Sequence, residues 1–99
     1  MDSKTLSIYK KIFKSNCNII IFGLSYCGYS KAAINYLKQK KICYKYYEID
    51  NIYDIFFEKI IGLSNLHPEL NINLSHKTFP VIFVNKKFIG GYTELINIV

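Results

Sequence analysis

Residues 18–30 read NIIIFGLSYCGYS, and this stretch decides the fold. Its first half, residues 19–22, is three isoleucines and a phenylalanine with no polar position, which is typical of a central strand covered on both faces. A short loop, residues 23–26, leads to Cys27. Apolar residues then recur at helical spacing over residues 31–39, so the stretch predicts a strand that leads through a short loop into a helix.

Cys27 lies where that helix begins. A thiol at this place is next to unpaired backbone N–H groups and the positive end of the helix dipole, which favour a thiolate. Three residues on, where a Cys-x-x-Cys pair would have its second sulfur, the chain has Ser30. Any redox cycle through Cys27 therefore needs a second thiol from elsewhere. Taken alone, such a cysteine is more often a small buried hydrophobic residue.

The rest of the chain predicts further helices and strands in an α/β order. They are an N-capped helix from Asp2 and Ser3 to about Lys14, a strand over residues 43–49, a helix from Asp50 and Asn51 to near Gly62, a loop over residues 63–76 with one helical turn at residues 68–70, a hairpin of residues 81–84 and 87–89, and a final helix from Glu94 capped by Thr93. This order predicts a mixed four-stranded sheet flanked by helices.

Length and composition narrow the class of protein. The 99 residues, about half of them hydrophobic, suit one domain over residues 1–99. The basic residues are all lysines spread along the chain, so the net charge of +6 does not indicate nucleic-acid binding. No apolar run approaches the ~20 residues of a membrane span, and three cysteines do not make a secreted disulfide framework. We therefore expect a cytoplasmic protein without a membrane or nucleic-acid partner.

Three motifs and the predicted hairpin of residues 81–89, taken in this order along the chain, resemble the glutaredoxins, thioredoxin-fold proteins that use glutathione as reductant. The motifs are YCGYS at residues 26–30, TFP at residues 78–80 just before a strand, and GGYTE at residues 90–94 at the last helix. The resemblance extends over residues 16–96, most of the chain. It implies a thioredoxin-like fold and a redox activity centred on Cys27.

The resemblance also implies a glutathione groove. Cys27 would be the nucleophile, and Pro80, following a cis peptide bond, would leave the Phe79 backbone free to pair with glutathione. The γ-glutamyl end would meet Gly91 and the N–H groups that follow it, with an acidic side chain for the ammonium group. The implied glutathione-binding residues are Tyr26, Tyr29, Lys77, Phe79, Pro80, Gly91, Tyr92, Thr93 and Glu94.

Three functions stay open on this resemblance. The first is a monothiol oxidoreductase that removes glutathione from glutathionylated or disulfide-containing substrates, and the short loop over residues 23–26 favours it. The second is a homodimer in which Cys27 of each subunit and two glutathiones hold a [2Fe–2S] cluster, because Gly28 and Ser30 match that subclass and leave space over the thiolate. The third is a thioredoxin-fold scaffold with weak activity.

Several residues depart from the family pattern or stay outside the groove. Leu24 stands where a lysine is usual, and Asp54 where a polar amide is expected, so only Lys77 or Lys31 could reach the glycine carboxylate of glutathione. We therefore expect binding mainly through the γ-glutamyl end and a weak activity. The segment between Gly62 and Lys77 is longer than usual by roughly ten residues, which a surface loop tolerates.

The other two cysteines and the histidines are expected to be structural. Cys17 and Cys43 open two parallel strands at the end away from Cys27, about 16 Å from it, so neither can resolve it. His67 and His76 have a poor spacing for a metal and are expected at the surface.

Overall fold

The computed structural model describes residues 2–99, which form a four-stranded sheet with helices on both faces. The helices are α1 Ser3–Phe13, α2 Gly28–Lys40, α3 Phe56–Leu66 and α4 Tyr92–Ile98, and the strands are β1 Ile19–Gly23, β2 Tyr44–Glu48, β3 Val81–Val84 and β4 Lys87–Gly90. The strand order is β2-β1-β3-β4, with β1 parallel to β2 and antiparallel to β3. This is the thioredoxin-like fold that the sequence predicts.

The central strand β1 is buried along its whole length because both of its faces are covered. Successive side chains of a strand point to opposite faces. Ile20 and Phe22 accordingly pack in the cluster that includes α1 and α3, whereas Ile19 and Ile21 pack in the cluster that includes α2 and α4. The uninterrupted apolar run is thus explained by two cores that share one strand.

Helix α1 begins at an acidic cap that also ties it to α3. Asp2 Oδ1 accepts a hydrogen bond from the Thr5 N–H at 2.8 Å, and Oδ2 pairs with Lys59 Nζ at 3.0 Å. The hydrogen bond from the Thr5 backbone, followed by that from Lys59, lowers the pKa of Asp2 to about 2. None of the helices in residues 2–99 is both long and apolar enough to cross a bilayer.

Both predicted boundaries of the third helix, α3, are wrong. Helix α3 begins at Phe56 rather than at Asp50, because residues 50–52 form a separate 3₁₀ turn. It also continues past Gly62 to Leu66, so part of the predicted loop is helical. A single glycine does not end a helix whose buried face continues at Leu63, and the residue before Pro68 is a more natural end.

Cys17 and Cys43 are joined in a disulfide, which the sequence did not predict. Their expected placement is confirmed: each stands just before one of two paired parallel strands, where Ile19 lies opposite Tyr44. The two Cα atoms are 5.4 Å apart, within the range that a disulfide spans. Cys27 is the free cysteine.

Candidate functional site

Cys27 is the N-cap residue of α2, which starts at Gly28 and therefore three residues earlier than its apolar spacing indicates. The backbone of Cys27 is extended, its N–H donates to Leu24 O at 3.1 Å, and its carbonyl accepts from the Lys31 N–H at 3.2 Å. The side chain is half-buried, and Sγ lies 3.5 Å from Phe79 O. The thiol thus faces both the helix start and the chain before β3.

The loop before Cys27 is fixed by Asp50, a residue whose role sequence reasoning missed. Asp50 Oδ1 accepts from the Ser25 N–H at 3.0 Å, and Oδ2 accepts from the Ser25 hydroxyl. These bonds, the one from the hydroxyl first, lower the pKa of Asp50 below its ordinary value of 3.8. The sequence signal for Asp50 is ambiguous, because an aspartate after a strand equally suggests a helix cap.

Phe79 carries the carbonyl that meets the thiol, and an aromatic cluster holds it in place. Its ring centroid lies 5.2 Å from that of Phe57, 5.6 Å from that of Phe56 and 6.2 Å from that of Tyr53. The peptide bond to Pro80 is cis, as the resemblance implies. Helix α3 therefore positions one wall of the site through ring contacts.

A surface groove with a volume of about 260 Å³ runs from this wall toward α4. It brings together most of the residues expected to bind glutathione and adds two others. Its lining residues are Tyr29, His76, Thr78, Phe79, Pro80, Gly91, Tyr92, Thr93 and Glu94. The stretches 78–80 and 91–94, which are distant from residue 29 in sequence, thus form one concave surface.

The far end of the groove is the start of α4. The helix begins at Tyr92, with Gly91 rather than Thr93 as its N-cap, and Glu94 Oε1 accepts from the Gly91 N–H at 2.7 Å. Gly90 has a φ of 122°, and a Cβ there would lie 2.5 Å from Glu94 Oε1. The glycine pair thus allows the Glu94 carboxylate to fold back over the chain at the groove.

Two of the expected residues do not line the groove. Tyr26 is 68% exposed, and Lys77 places Nζ 5.5 Å from the centre of the Phe57 ring. His76, expected at the surface and outside the site, does line the groove, with Nε2 3.4 Å from Pro80 O. Its position two residues before Thr78 was the available signal.

Ser30 does not open space beside the thiol, contrary to expectation. It is fully buried, and its hydroxyl has no hydrogen-bond partner among the described residues. Its side chain packs on Gly23, where a Cβ would lie 2.6 Å from Ser30 Oγ and 2.9 Å from Tyr46 Cε1. Gly28 does fit the expectation, since a Cβ there would meet no atom within 4 Å.

The two departures from the family pattern have different surroundings. Leu24 is buried in the core, 5% exposed, whereas Asp54 is exposed. Burial raises the pKa of the Tyr46 phenol, and the negative charges of Glu48 and Asp50 raise it further. No lysine is in hydrogen-bond contact with Cys27 among residues 2–99.

The arrangement offers one free thiol beside a groove that is lined by Phe79 and the first residues of α4. Such a thiol can attack a disulfide and carry a mixed disulfide, with the groove holding the attached group. No three potential metal ligands from histidine, cysteine, aspartate and glutamate come together in the described part of the chain. The free thiol beside the groove suits exchange chemistry at sulfur.

Comparison with known proteins shows that the chain is similar to glutaredoxins. The sequence model of the glutaredoxin family matches residues 19–89. A probable glutaredoxin of Acanthamoeba polyphaga mimivirus is 32% identical over 77% of this chain and 72% of its own length. Glutaredoxin-2 of Schizosaccharomyces pombe is 35% identical over 82% of this chain, which spans 66% of that protein.

A solved structure shares the fold. The complex of buckwheat glutaredoxin with glutathione superposes with a TM-score of 0.63 at 20% identity, covering 98% of this chain and 84% of that one. The matched family region includes β1, Cys27, α2 and the segment that ends in Pro80. On the family match and the mimivirus relative, this chain belongs to the glutaredoxin family, whose members are thiol-disulfide oxidoreductases.

Proposed function

We propose that this protein is a monothiol, glutathione-dependent oxidoreductase that removes glutathione from mixed disulfides through Cys27. The observation that carries the proposal is the half-buried Cys27 thiol, 3.5 Å from the Phe79 carbonyl, beside the groove that leads to α4. Ser30 cannot supply a resolving sulfur, and Cys17 and Cys43 are bonded to each other. The second thiol of the cycle must then come from a free glutathione.

The cycle has two exchange steps. The Cys27 thiolate attacks the glutathione sulfur of a mixed disulfide, so that a Cys27–glutathione disulfide forms and the substrate leaves as a thiolate, which takes up a proton. A second glutathione thiolate then attacks the glutathione sulfur on Cys27. Glutathione disulfide leaves, and the Cys27 thiolate is restored without any internal disulfide.

The groove supports glutathione as the attached group. The Phe79 backbone is at the thiol end, and the N–H groups of Tyr92 and Thr93 belong to the first turn of α4, where unpaired backbone donors suit a carboxylate. Glu94 gives one oxygen to Gly91, which leaves the other for an ammonium group. Glutathione would thus be held mainly by its γ-glutamyl end.

A weak affinity for the glycine carboxylate is part of the proposal. Leu24 is buried and apolar, Asp54 is an anion, and Lys77 lies over Phe57. Lys31, exposed on the first turn of α2, is the remaining candidate cation. We therefore expect turnover with a high KM for glutathione.

We also propose the cytoplasm, where glutathione is reduced, as the place of action.

The test is reduction of a glutathione mixed disulfide of a small thiol, with product glutathione disulfide measured directly. The wild-type chain should turn over with reduced glutathione as the only other thiol, and Cys27→Ser should fall to the background rate. Asn35→Ser, on the exposed face of α2, is the matched control and should keep the wild-type rate. Equal rates for wild type and Cys27→Ser would contradict the proposal.

The structural observation that favours the rival function, [2Fe–2S] binding, is the open space over Gly28. One chain supplies a single thiolate, Cys27, so its own residues do not fit a cluster, which would require a second chain and two glutathiones. Anaerobic reconstitution with glutathione separates the functions. A colourless, active monomer supports the enzyme, and a coloured dimer that is lost in Cys27→Ser supports the rival. The absence of both colour and activity supports a scaffold.

A further inference from the structure

Cys17 and Cys43 form a sulfur pair at the end of the sheet opposite to Cys27. Both precede the N-terminal ends of paired parallel strands, β1 and β2, whereas Cys27 follows the C-terminal end of β1. Five strand residues separate the two places, which is about 16 Å at 3.3 Å per residue. The pair therefore cannot exchange with Cys27 in the folded chain and is a separate chemical site.

The two sulfurs of the pair differ in access. Cys43 is an exposed residue, whereas Cys17 is 8% exposed. A disulfide or thiol in solution must approach from the Cys43 side, because exchange requires in-line access to the attacked sulfur. The buried Cys17 sulfur, already in bonding contact with Cys43, is placed to act as the internal partner.

The surroundings suit a small anionic partner. Lys41 and Lys45, both exposed, flank Cys43 in sequence. A small disulfide that carries carboxylates, such as a peptide-sized one, matches this positive charge.

We propose that Cys43 and Cys17 are a second thiol-disulfide exchange site, which reacts with small anionic disulfides such as glutathione disulfide. The reduced Cys43 thiolate attacks glutathione disulfide, forming a Cys43–glutathione disulfide and releasing one glutathione thiolate. The Cys17 thiolate then attacks Cys43 Sγ and releases the second glutathione. Two protein thiols are oxidised, one glutathione disulfide is reduced to two glutathiones, and the two protons pass to the released thiolates.

This site makes the chain a dithiol protein without a Cys-x-x-Cys motif. The inference does not rest on the activity proposed for Cys27, and Cys27→Ser removes that thiol from the experiment. The reduced Cys27→Ser protein is equilibrated with mixtures of reduced and oxidised glutathione, quenched in acid and alkylated. Its mass is then measured by mass spectrometry. Both thiols should become resistant to alkylation together, with no glutathione attached, and digestion should yield a Cys17–Cys43 cross-linked peptide.

Two variants in the same background assign the roles. Cys27→Ser/Cys17→Ser should accumulate the Cys43–glutathione adduct, because no internal thiol displaces it. Cys27→Ser/Cys43→Ser should form an adduct at Cys17 at least about tenfold more slowly, because that sulfur is buried. Far-ultraviolet circular dichroism checks that each variant is folded.

The inference is overturned by either of two results in Cys27→Ser. In the first, both thiols remain open to alkylation in excess glutathione disulfide. In the second, a stable Cys43–glutathione adduct persists although Cys17 is present. Faster reaction of Cys17 than of Cys43 would overturn the assignment of the attacking sulfur.

Discussion

Gly23 and Ser30 lie close together where the central strand packs against the helix that carries the thiol. A Cβ at position 23 would lie 2.6 Å from Ser30 Oγ and 2.9 Å from both Ser30 Cβ and the Tyr46 ring. Contacts under 3.0 Å require atoms to move, and Ser30 Cβ belongs to a short side chain that cannot swing away. The position of Cys27 relative to the sheet thus depends on Gly23, which has no Cβ.

We expect Gly23→Ala to destabilise the fold by about 2 kcal/mol, since overpacking a tight contact costs about 1–3 kcal/mol. The matched control is Gly62→Ala, also glycine to alanine, in α3 where a Cβ meets no atom within 4 Å. That control should stabilise the fold by about 0.5–1 kcal/mol, because alanine favours helix. Urea unfolding of both variants measures the difference, and equal effects would disprove the steric argument.

Ser30→Ala is expected to stabilise the fold by about 1 kcal/mol. The Ser30 hydroxyl is fully buried without a hydrogen-bond partner among residues 2–99, and leaving a buried hydroxyl unpaired costs about 1–3 kcal/mol. Ser64→Ala, a partly exposed helix position in α3, controls for the helix preference of alanine. Urea unfolding should show a larger gain in the free energy of unfolding for Ser30→Ala than for Ser64→Ala. A loss for Ser30→Ala would contradict the claim that the hydroxyl has no hydrogen-bond partner.

Chemistry-bearing side chains were predictable when a local motif contained them. Cys27 at a helix start and Phe79 before a proline were found in this way. Asp50 and His76 were not, because their partners, Ser25 and the Pro80 carbonyl, are set by how β1, the 3₁₀ turn and the segment before β3 come together. The burial of Ser30 is equally a product of α2 packing on β1.

At the scale of elements, the loop between β1 and α2 is held by the 3₁₀ turn after β2. Asp50 receives two hydrogen bonds from Ser25, which lies two residues before Cys27. The bonds stabilise the charged carboxylate, and its pKa is lowered from 3.8. The turn therefore positions the thiol indirectly through the charge on one side chain.

A pH-dependent contribution to stability follows. A lowered pKa means that the contribution of Asp50 is full above 3.8 and is lost as pH falls below it. Wild type should be more stable than Asp50→Asn at neutral pH, and the two should converge as pH falls from 3.8 through the lowered pKa of Asp50. Thermal unfolding over this range measures the difference, and a difference that stays constant with pH would contradict the assignment.

Element types were better predicted from the sequence than element ends. All four strands and four helices were expected, because their apolar periods are clear. The start of α3 was wrong, since Asp50 caps a loop instead of the helix, and its end was wrong, since Leu63 and the residues around it continue to pack after Gly62. Tertiary contacts, and not local helix preference, therefore set both ends of α3.

At the scale of the whole molecule, the Cys17–Cys43 disulfide closes a loop that holds β1, Cys27 and α2. The two cysteines are 26 residues apart in sequence, and a cross-link of that span removes freedom mainly from the unfolded chain. The sequence indicated that they are neighbours but not that they bond. Pairing depends on a 5.4 Å approach of the Cα atoms that only the assembled sheet provides.

Reduction of this disulfide should lower the free energy of unfolding by about 3 kcal/mol on the chain-entropy argument. Urea unfolding of the wild-type chain with and without a strong reductant measures the change. The double variant Cys17→Ser/Cys43→Ser is the control and should respond to reductant by less than about 0.5 kcal/mol. An unchanged wild-type midpoint would mean that the loop gains no stability from the cross-link.

The separation of one free cysteine from one bonded pair has a practical consequence. Before reduction, Cys27 alone should take up a thiol-reactive dye, beside the groove. After reduction, the exposed Cys43 should take up a second dye of another colour. The natural sequence would then carry two distinguishable reporters, one at each end of β1, without a single engineered substitution.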